Sequence, residues 1–161
     1  MGSASIRVLV VDDYAPWRGF VSNMLKKQPE LEVVGCACDG LAAVEQAEQL
    51  QPDLILLDIG LPNLNGIEAA TRIREISPTS RILFVSENRS VDIAEKALST
   101  GAGGYVVKSD GASDLLAAIK AVINGKRFVS ASMANHFLVS ATLSAAQVSL
   151  SWVVMFISGM A

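Results

Sequence analysis

The stretch Leu54-Ile55-Leu56-Leu57-Asp58 places four apolar residues directly before a carboxylate. A short apolar run bounded by turn residues is typical of a strand that is buried on both faces of a parallel sheet. A proline at position 52 precedes the run, and Gly-Leu-Pro-Asn follows it at residues 60–63. Asp58 is therefore predicted at the C-terminal end of a central strand, where open α/β sheets carry their reactive groups. A carboxylate desolvated there needs a cation nearby.

Apolar strands alternate with amphipathic helices on both sides of this stretch. The predicted strands cover residues 6–11, 31–37, 54–57, 81–85 and 104–107. The predicted helices cover residues 15–27, 40–50, 66–76, 91–100 and 113–124, where apolar residues recur at helical spacing. Five successive βα units with right-handed crossovers give an α/β fold, with a parallel sheet covered by helices on both faces.

Polar residues directly follow four of the five predicted strands. Asp12 and Asp13 follow the first strand, Asp58 the third, Ser86 the fourth and Lys108 the fifth. Because the C-terminal ends of parallel strands meet at one edge of a sheet, we expect these side chains to form one cluster. The cluster would contain three carboxylates, one hydroxyl and one ammonium.

The composition of this cluster indicates phosphoryl chemistry. Close carboxylates repel one another unless a cation joins them, and one lysine does not balance three of them. A carboxylate-rich site of this kind suits Mg²⁺, which accepts phosphoryl oxygens as further ligands. A carboxylate in the cluster can act as the nucleophile and form an aspartyl-phosphate, while Lys108 and Ser86 hold the other phosphoryl oxygens.

Over residues 5–125 the sequence resembles the CheY-like receiver domains of bacterial two-component response regulators. The residues that carry the resemblance stand in order at the strand ends: Val10-Val11-Asp12-Asp13, Leu56-Leu57-Asp58, Leu61-Pro62, Gly66, Ser86, Tyr105 and Lys108. The resemblance implies a flavodoxin-like, doubly wound, five-stranded parallel sheet of order 2-1-3-4-5. It also implies a phosphoprotein of two-component signal transduction that belongs to a phosphorelay and is not itself an enzyme.

The resemblance assigns a phosphoacceptor and a metal site. Asp58 would accept the phosphoryl group from a histidine kinase. Asp13 and Asp58 would bind Mg²⁺ directly, with the Gly60 carbonyl as a third protein ligand and Asp12 acting through a water molecule.

The resemblance also assigns a switch. Lys108 would contact the phosphoryl group, Ser86 would reach for it on activation, and Tyr105 would swing inward behind Ser86. The family commonly has Ala or Gly after the serine position, where this chain has Glu87. A carboxylate at the rim of the site is predicted to slow phosphorylation through its charge and its bulk.

Two further segments, residues 101–108 and 125–130, resemble the subfamily whose receiver precedes a LuxR-type helix-turn-helix domain. Residues 128–161 contain no Asp, Glu, Lys or Arg, so no DNA binding is expected from this chain. We predict a receiver domain at residues 1–125, followed by a linker and an uncharged apolar extension at 126–161. The extension is predicted to be helical and to pack either on the receiver or on a second chain, and of these two outcomes we expect the second, a homodimer.

Charge and composition bound the remaining possibilities. A net charge of −3 argues against a nucleic-acid surface. No signal peptide or membrane-spanning run is visible, which predicts a cytoplasmic protein without a membrane partner.

Cys36 and Cys38 lie two residues apart, so on a strand they point the same way and are predicted to be packed, unbridged thiols. Trp17 and the other apolar side chains of residues 15–27, Phe20 included, are predicted to be core residues.

Two alternative functions remain open at this level. An aspartyl-phosphate phosphatase would use similar chemistry, but such enzymes commonly place two aspartates two residues apart after the first strand, whereas Asp12 and Asp13 are adjacent. A receiver that signals without phosphorylation is the other alternative, and the presence of every expected site residue argues against it.

Overall fold

The computed structural model describes residues 4–134 of the chain. Strands and helices alternate along this part in the predicted manner. The strands are β1 Ile6–Val11, β2 Leu31–Ala37, β3 Leu54–Leu57, β4 Arg81–Ser86, β5 Gly104–Val107 and β6 Phe128–Val129. The helices are α1 Ala15–Lys26, α2 Gly40–Leu50, α3 Gly66–Ile76, α4 Val91–Ser99 and α5 Ala112–Ile123, with a short 3₁₀ turn at Lys108–Asp110.

The strands form one parallel sheet of order β2-β1-β3-β4-β5-β6. The predicted order 2-1-3-4-5 and the doubly wound α/β fold are confirmed. The sixth strand was not predicted, because two residues are too few to show a strand period. β6 pairs in parallel with β5 through Gly104 opposite Phe128 and Tyr105 opposite Val129.

The apolar core lies in two layers, one on each face of the sheet. Because strand side chains alternate between faces, Ile55 and Leu57 of β3 join one layer and Leu54 and Leu56 join the other. Helices α2, α3 and α4 cover the first layer, and α1 and α5 cover the second. The central strand is thus fully buried along its length, which brings Asp58 to the edge of the core.

The first residues of the predicted extension pack against the receiver. After β6, residues 131–134 are helical, and Met133 and Ala134 are buried in the same apolar layer as Tyr105. The boundary at residue 125 stays a prediction. The remainder of the predicted helical extension lies outside the described residues.

Two predictions about side-chain burial are wrong. Cys36 and Cys38 are exposed free thiols, because Cys36 lies on β2, an edge strand of the sheet, and Cys38 directly follows that strand. Phe20 is 46% exposed, and the core of α1 is formed by Val21 and Leu25. Over residues 4–134, the helices are all too short or too polar to cross a bilayer.

Candidate functional site

The candidate site lies where the strand order reverses, at the C-terminal ends of β1 and β3. Asp12 follows β1 and Asp58 follows β3, and these two strands are neighbours. The backbone continues the sheet pairing into the site, since Asp12 N–H donates to Ala37 O at 3.0 Å and Asp58 N–H donates to Val11 O at 3.1 Å. A topological switch point of this kind opens a crevice at the sheet edge, which fixes both carboxylates in one place.

Lys108 joins the two buried carboxylates. Its Nζ atom lies 2.5 Å from Oδ2 of Asp12 and 3.3 Å from Oδ2 of Asp58. Its side chain is only 8% exposed. Burial lowers the pKa of Lys108, but the hydrogen bond with Asp12 and the charges of Asp58 and Asp12 outweigh burial and raise it. Lys108 is therefore a charged, largely desolvated ammonium at neutral pH.

Asp58 is held by the backbone that follows it. Its Oδ1 atom accepts a 2.8 Å hydrogen bond from the Ile59 N–H. Burial raises the pKa of Asp58 more than the Lys108 charge lowers it, and the charge of Asp12 raises it further. One carboxylate oxygen is thus tied to the backbone while the other, Oδ2, faces Lys108.

Gly66 permits the close turn behind Asp58. Its N–H donates to Ile59 O at 2.8 Å. A Cβ atom at this position would clash with the carbonyl oxygen of Asp58 and would lie 2.8 Å from the Ile59 Cα. Only glycine lets the start of α3 approach the chain at Asp58 this closely.

Asp12, Asp13 and Asp58 form the predicted carboxylate cluster. Each offers one oxygen, and these oxygens lie within 4.8 Å of one another. Opposite ligands of an octahedral Mg²⁺ ion are about 4 Å apart, so small side-chain movements bring this donor set around such an ion. Asp13 is exposed whereas the other two are buried, which leaves one side of the cluster open to solvent.

Gly60 and Glu87 lie at the rim of the carboxylate cluster. Gly60 and Glu87 line an open cleft of about 380 Å³ together with Asp58, Ile59, Ser86 and Asn88. Glu87 also lines a second open cleft, of about 590 Å³, together with Asp12, Asp13, Tyr14, Pro16, Trp17, Phe20 and Lys108. The exposed carboxylate of Glu87 thus stands between the two entrances to the carboxylate cluster.

Ser86 and Tyr105 meet at Asn88, a residue that sequence reasoning missed. The Ser86 Oγ accepts a 3.1 Å hydrogen bond from Asn88 N–H, and the Tyr105 hydroxyl donates to Asn88 O at 2.7 Å. The Tyr105 ring is fully buried and therefore occupies the inward position. Burial raises the pKa of Tyr105, a hydrogen bond with Ser86 opposes the rise, and the charge of Asp58 adds to it.

Trp17 also belongs to the site rather than to the core alone. It is half-buried, and its ring centroid lies 5.1 Å from the Nζ atom of Lys108. A signal for this position was present in the sequence. Pro16 places the start of a helix directly after Asp13, so a side chain four residues beyond Asp13 must stand in the first turn, beside the site.

The sequence model of the response regulator receiver domain family matches residues 8–120. The chain belongs to this family. The resemblance drawn from the strand-end residues is therefore confirmed, as is two-component signalling as the context in which receiver domains act. Receiver domains of response regulators are mostly signalling modules without enzymatic activity.

Known relatives agree with this placement. The receiver is 46% identical over 112 residues to the protein-glutamate methylesterase/protein-glutamine glutaminase of Thermotoga maritima, covering 68% of this chain and 32% of that protein. It is 37% identical over 123 residues to the nitrate/nitrite response regulator NarL of Escherichia coli K12, covering 76% of this chain and 57% of NarL. A crystal structure of a LuxR-family response regulator from Aurantimonas sp. SI85-9A1 is 30% identical, with a TM-score of 0.80 and coverage of 86% and 99%.

The matched lengths limit what these relatives imply. The chain spans about a third of the methylesterase and just over half of NarL. In the methylesterase only the receiver part is matched. Its catalytic activity therefore belongs to a region with no counterpart in the match.

Proposed function

We propose that this receiver domain accepts a phosphoryl group on Asp58 in the presence of Mg²⁺ and thereby switches an interaction with a partner. The contact that carries the proposal is the bridge from Lys108 to Asp12 and Asp58. It places a desolvated ammonium beside the Asp58 oxygen that the backbone does not hold, within a cluster of three carboxylates. Positioning and charge neutralisation of this kind provide most of the catalysis of phosphoryl transfer.

The metal would be held by residues of this cluster. Asp13 and Asp58 would be direct ligands together with the Gly60 carbonyl, and Asp12 would act through a water molecule. When bound, Mg²⁺ would neutralise charge on the transferring phosphoryl group.

The transfer step uses the oxygen of Asp58 that the backbone does not hold. Oδ2 attacks the phosphorus of a phosphohistidine or of a small acyl phosphate, an O–P bond forms, and the bond from phosphorus to the donor nitrogen or oxygen breaks. The electron pair of that bond leaves with the donor, and Asp58 becomes a mixed anhydride. Lys108 then donates to a phosphoryl oxygen in place of the Asp58 oxygen.

The readout of phosphorylation would pass through Ser86, Asn88 and Tyr105. Ser86 would turn its hydroxyl from Asn88 N–H toward a phosphoryl oxygen. Because Asn88 also holds the Tyr105 hydroxyl through its carbonyl oxygen, any shift of the loop at Asn88 changes the support of the inward ring. Glu87, which lies between Ser86 and Asn88, would modulate access to Asp58.

We further propose a histidine kinase as the phosphodonor, a cytoplasmic location, and no DNA binding by this chain. The extension at residues 126–161 would mediate a homodimer. Because Met133 and Ala134 are buried in the receiver, a truncation that tests the dimer should end after residue 134. A monomeric chain of residues 1–134 is expected to show about two fifths of the mass of a dimeric parent of 161-residue chains in light scattering. A parent that is already monomeric would contradict the homodimer.

The test of the proposed function is phosphate incorporation from labelled acetyl phosphate with Mg²⁺. Asp58→Asn is expected to abolish acid-stable, hydroxylamine-labile incorporation while circular dichroism stays unchanged. Asp53→Asn is a matched control, since Asp53 directly precedes the same strand and therefore lies at the other end of the strands, away from the site. Labelling that survives in Asp58→Asn would show that another residue is the phosphoacceptor. If the parent protein incorporates no label, the alternative of a receiver that signals without phosphorylation is favoured. Continuous hydrolysis of added phosphoesters would favour the phosphatase alternative.

A further inference from the structure

The ammonium of Lys108 lies over the indole ring of Trp17. The distance from Nζ to the ring centroid is 5.1 Å, inside the range of about 6 Å at which a cation is attracted to an aromatic face. The Lys108 side chain is 8% exposed. This attraction strengthens when the cation is desolvated. The contact with Trp17 is therefore strong enough to influence where the ammonium lies.

Trp17 is fixed in this place by the turn that follows Asp13. The Asp12 Oδ1 accepts a 2.9 Å hydrogen bond from Tyr14 N–H, and Trp17 N–H donates to Tyr14 O at 3.1 Å. The ring packs against the apolar layer under α1 and α5. The carboxylate that pairs with Lys108 therefore also anchors the helix turn that presents the ring to Lys108.

We propose that Trp17 is a positioning residue that holds the Lys108 ammonium beside Asp58 for phosphoryl transfer. The proposal rests on the proposed function of Asp58. A lysine ammonium has three N–H donors, and Asp12 and Asp58 face it on the side of the carboxylate cluster. An aromatic face attracts the cation without acting as a conventional lone-pair acceptor, so a donor stays available for a phosphoryl oxygen.

The ring also keeps Lys108 from competing partners. Asp13 and Glu87 are exposed carboxylates that line the same cleft as Trp17 and Lys108. A lysine side chain is flexible and strongly hydrated, so without the ring its ammonium would sample these carboxylates and water. A smaller fraction of the protein molecules would then hold the ammonium beside Asp58 when the phosphodonor arrives.

The decisive experiment changes the charge distribution of the ring while keeping its shape. Trp152 is replaced by Phe so that Trp17 is the one remaining tryptophan of the chain. The protein is then prepared with tryptophan, 5-fluorotryptophan and 5,7-difluorotryptophan. Each fluorine weakens the attraction for a cation, so the phosphorylation rate with acetyl phosphate and Mg²⁺ is expected to fall stepwise. Trp17→Leu is expected to lower it about 3- to 10-fold, and Trp17→Phe by less.

Phe20→Leu is the matched control. It removes a neighbouring ring from the same helix that lies 5.3 Å from Trp17 and is 46% exposed. Its phosphorylation rate is expected to equal that of the parent. A loss in Phe20→Leu as large as that in Trp17→Leu would mean that helix packing, and not the contact with Lys108, sets the rate.

A second readout needs neither phosphate nor metal. In the NMR spectrum of lysine-labelled protein, the ring current of Trp17 is expected to shift the Lys108 Hε resonances upfield, and Trp17→Leu should remove this shift. Equal rates across the fluorinated series, in a parent that is phosphorylated on Asp58, would overturn the role of Trp17 alone. A parent that takes no phosphate would overturn the proposed function and the role of Trp17 with it.

Discussion

The backbone N–H of Val107 donates a 2.8 Å hydrogen bond to the side-chain oxygen of Ser130. Val107 is the last residue of β5, and Ser130 directly follows β6, so the bond extends the sheet pairing through a side chain. Ser130 N–H also donates to Tyr105 O at 3.0 Å, and the Ser130 hydroxyl donates to Asp114 Oδ2 at 2.8 Å. One fully buried serine thus ties the segment after β6 to α5 and to the strand that carries Tyr105.

Ser130→Ala should destabilise the receiver. The substitution leaves the buried Val107 N–H without its acceptor and Asp114 without its donor, and an unsatisfied buried group costs about 1–3 kcal/mol. Urea unfolding measures the change. Ser132→Ala is the control, because its bond to Asp110 is on the surface and its loss should cost less. Equal effects of the two substitutions would show that Ser130 does not anchor the segment.

Asp114 makes the same contact sensitive to pH. Burial raises the pKa of Asp114 above its ordinary value of 3.8, the hydrogen bond from Ser130 opposes the rise, and the charge of Asp110 adds to it. The folded protein then retains this proton to higher pH than the unfolded chain does, so the associated stability is fully present below pH 3.8 and is lost as pH rises through the folded pKa.

Asp114→Asn removes this titration and keeps an oxygen that can accept from Ser130. We expect the parent to lose stability relative to Asp114→Asn as pH rises from 3.8 through the raised pKa. Urea midpoints of both proteins across that window measure the difference, and titrations common to both cancel. A constant difference between parent and variant would mean that the Asp114 pKa is not raised.

The sequence predicted those parts of the receiver that depend on long patterns. Buried strands such as β3 and the helices between them show a clear apolar period, and their polar ends at Asp12, Asp58 and Lys108 follow from the parallel sheet. The contact at Ser130 could not be predicted, because β6 has two residues and a serine has no pattern of its own. Asn88 was missed for a similar reason, since it acts through backbone atoms that any residue carries.

Gly66→Ala is expected to disturb the receiver at Asp58. The added Cβ meets the carbonyl oxygen of Asp58 and the Ile59 Cα, and backbone atoms cannot move aside cheaply. We expect a loss of about 1–3 kcal/mol in the free energy of unfolding together with slower phosphorylation, because Asp58 is displaced. Gly19→Ala is the control. Its added Cβ has nothing within 4 Å, and alanine there should raise helix stability by up to about 1 kcal/mol. A folded, fully active Gly66→Ala protein would contradict the close approach.

Asp13→Ala is expected to weaken Mg²⁺ binding by about tenfold or more. Even residues that only hydrogen-bond to the ligands change metal affinity by about 10- to 100-fold. Trp17 lines the same cleft as Asp13, so its fluorescence in a Trp152→Phe background reports Mg²⁺ binding. Glu30→Ala removes a carboxylate that directly precedes β2, at the end of the strands away from the site, and should leave the Mg²⁺ affinity unchanged. Equal affinity in Asp13→Ala and the parent would refute the assignment of Asp13 as a ligand.

Glu87→Ala is expected to speed phosphorylation by acetyl phosphate severalfold. The exposed carboxylate lines both clefts that lead to the site, and a negative charge about 6–8 Å from an incoming dianion costs on the order of 1 kcal/mol at an effective dielectric near 40–60.

Glu87→Gln separates charge from bulk, because it removes the charge and keeps the size. If charge dominates, Glu87→Gln should match Glu87→Ala at low ionic strength. The advantage of both variants should then shrink as salt is raised, since exposed charges are screened over about 10 Å at 0.1 M salt. A gain in Glu87→Ala alone, unchanged by salt, would assign the effect to bulk at the entrance to Asp58. Equal rates in all three proteins at low salt would make Glu87 an ordinary surface residue.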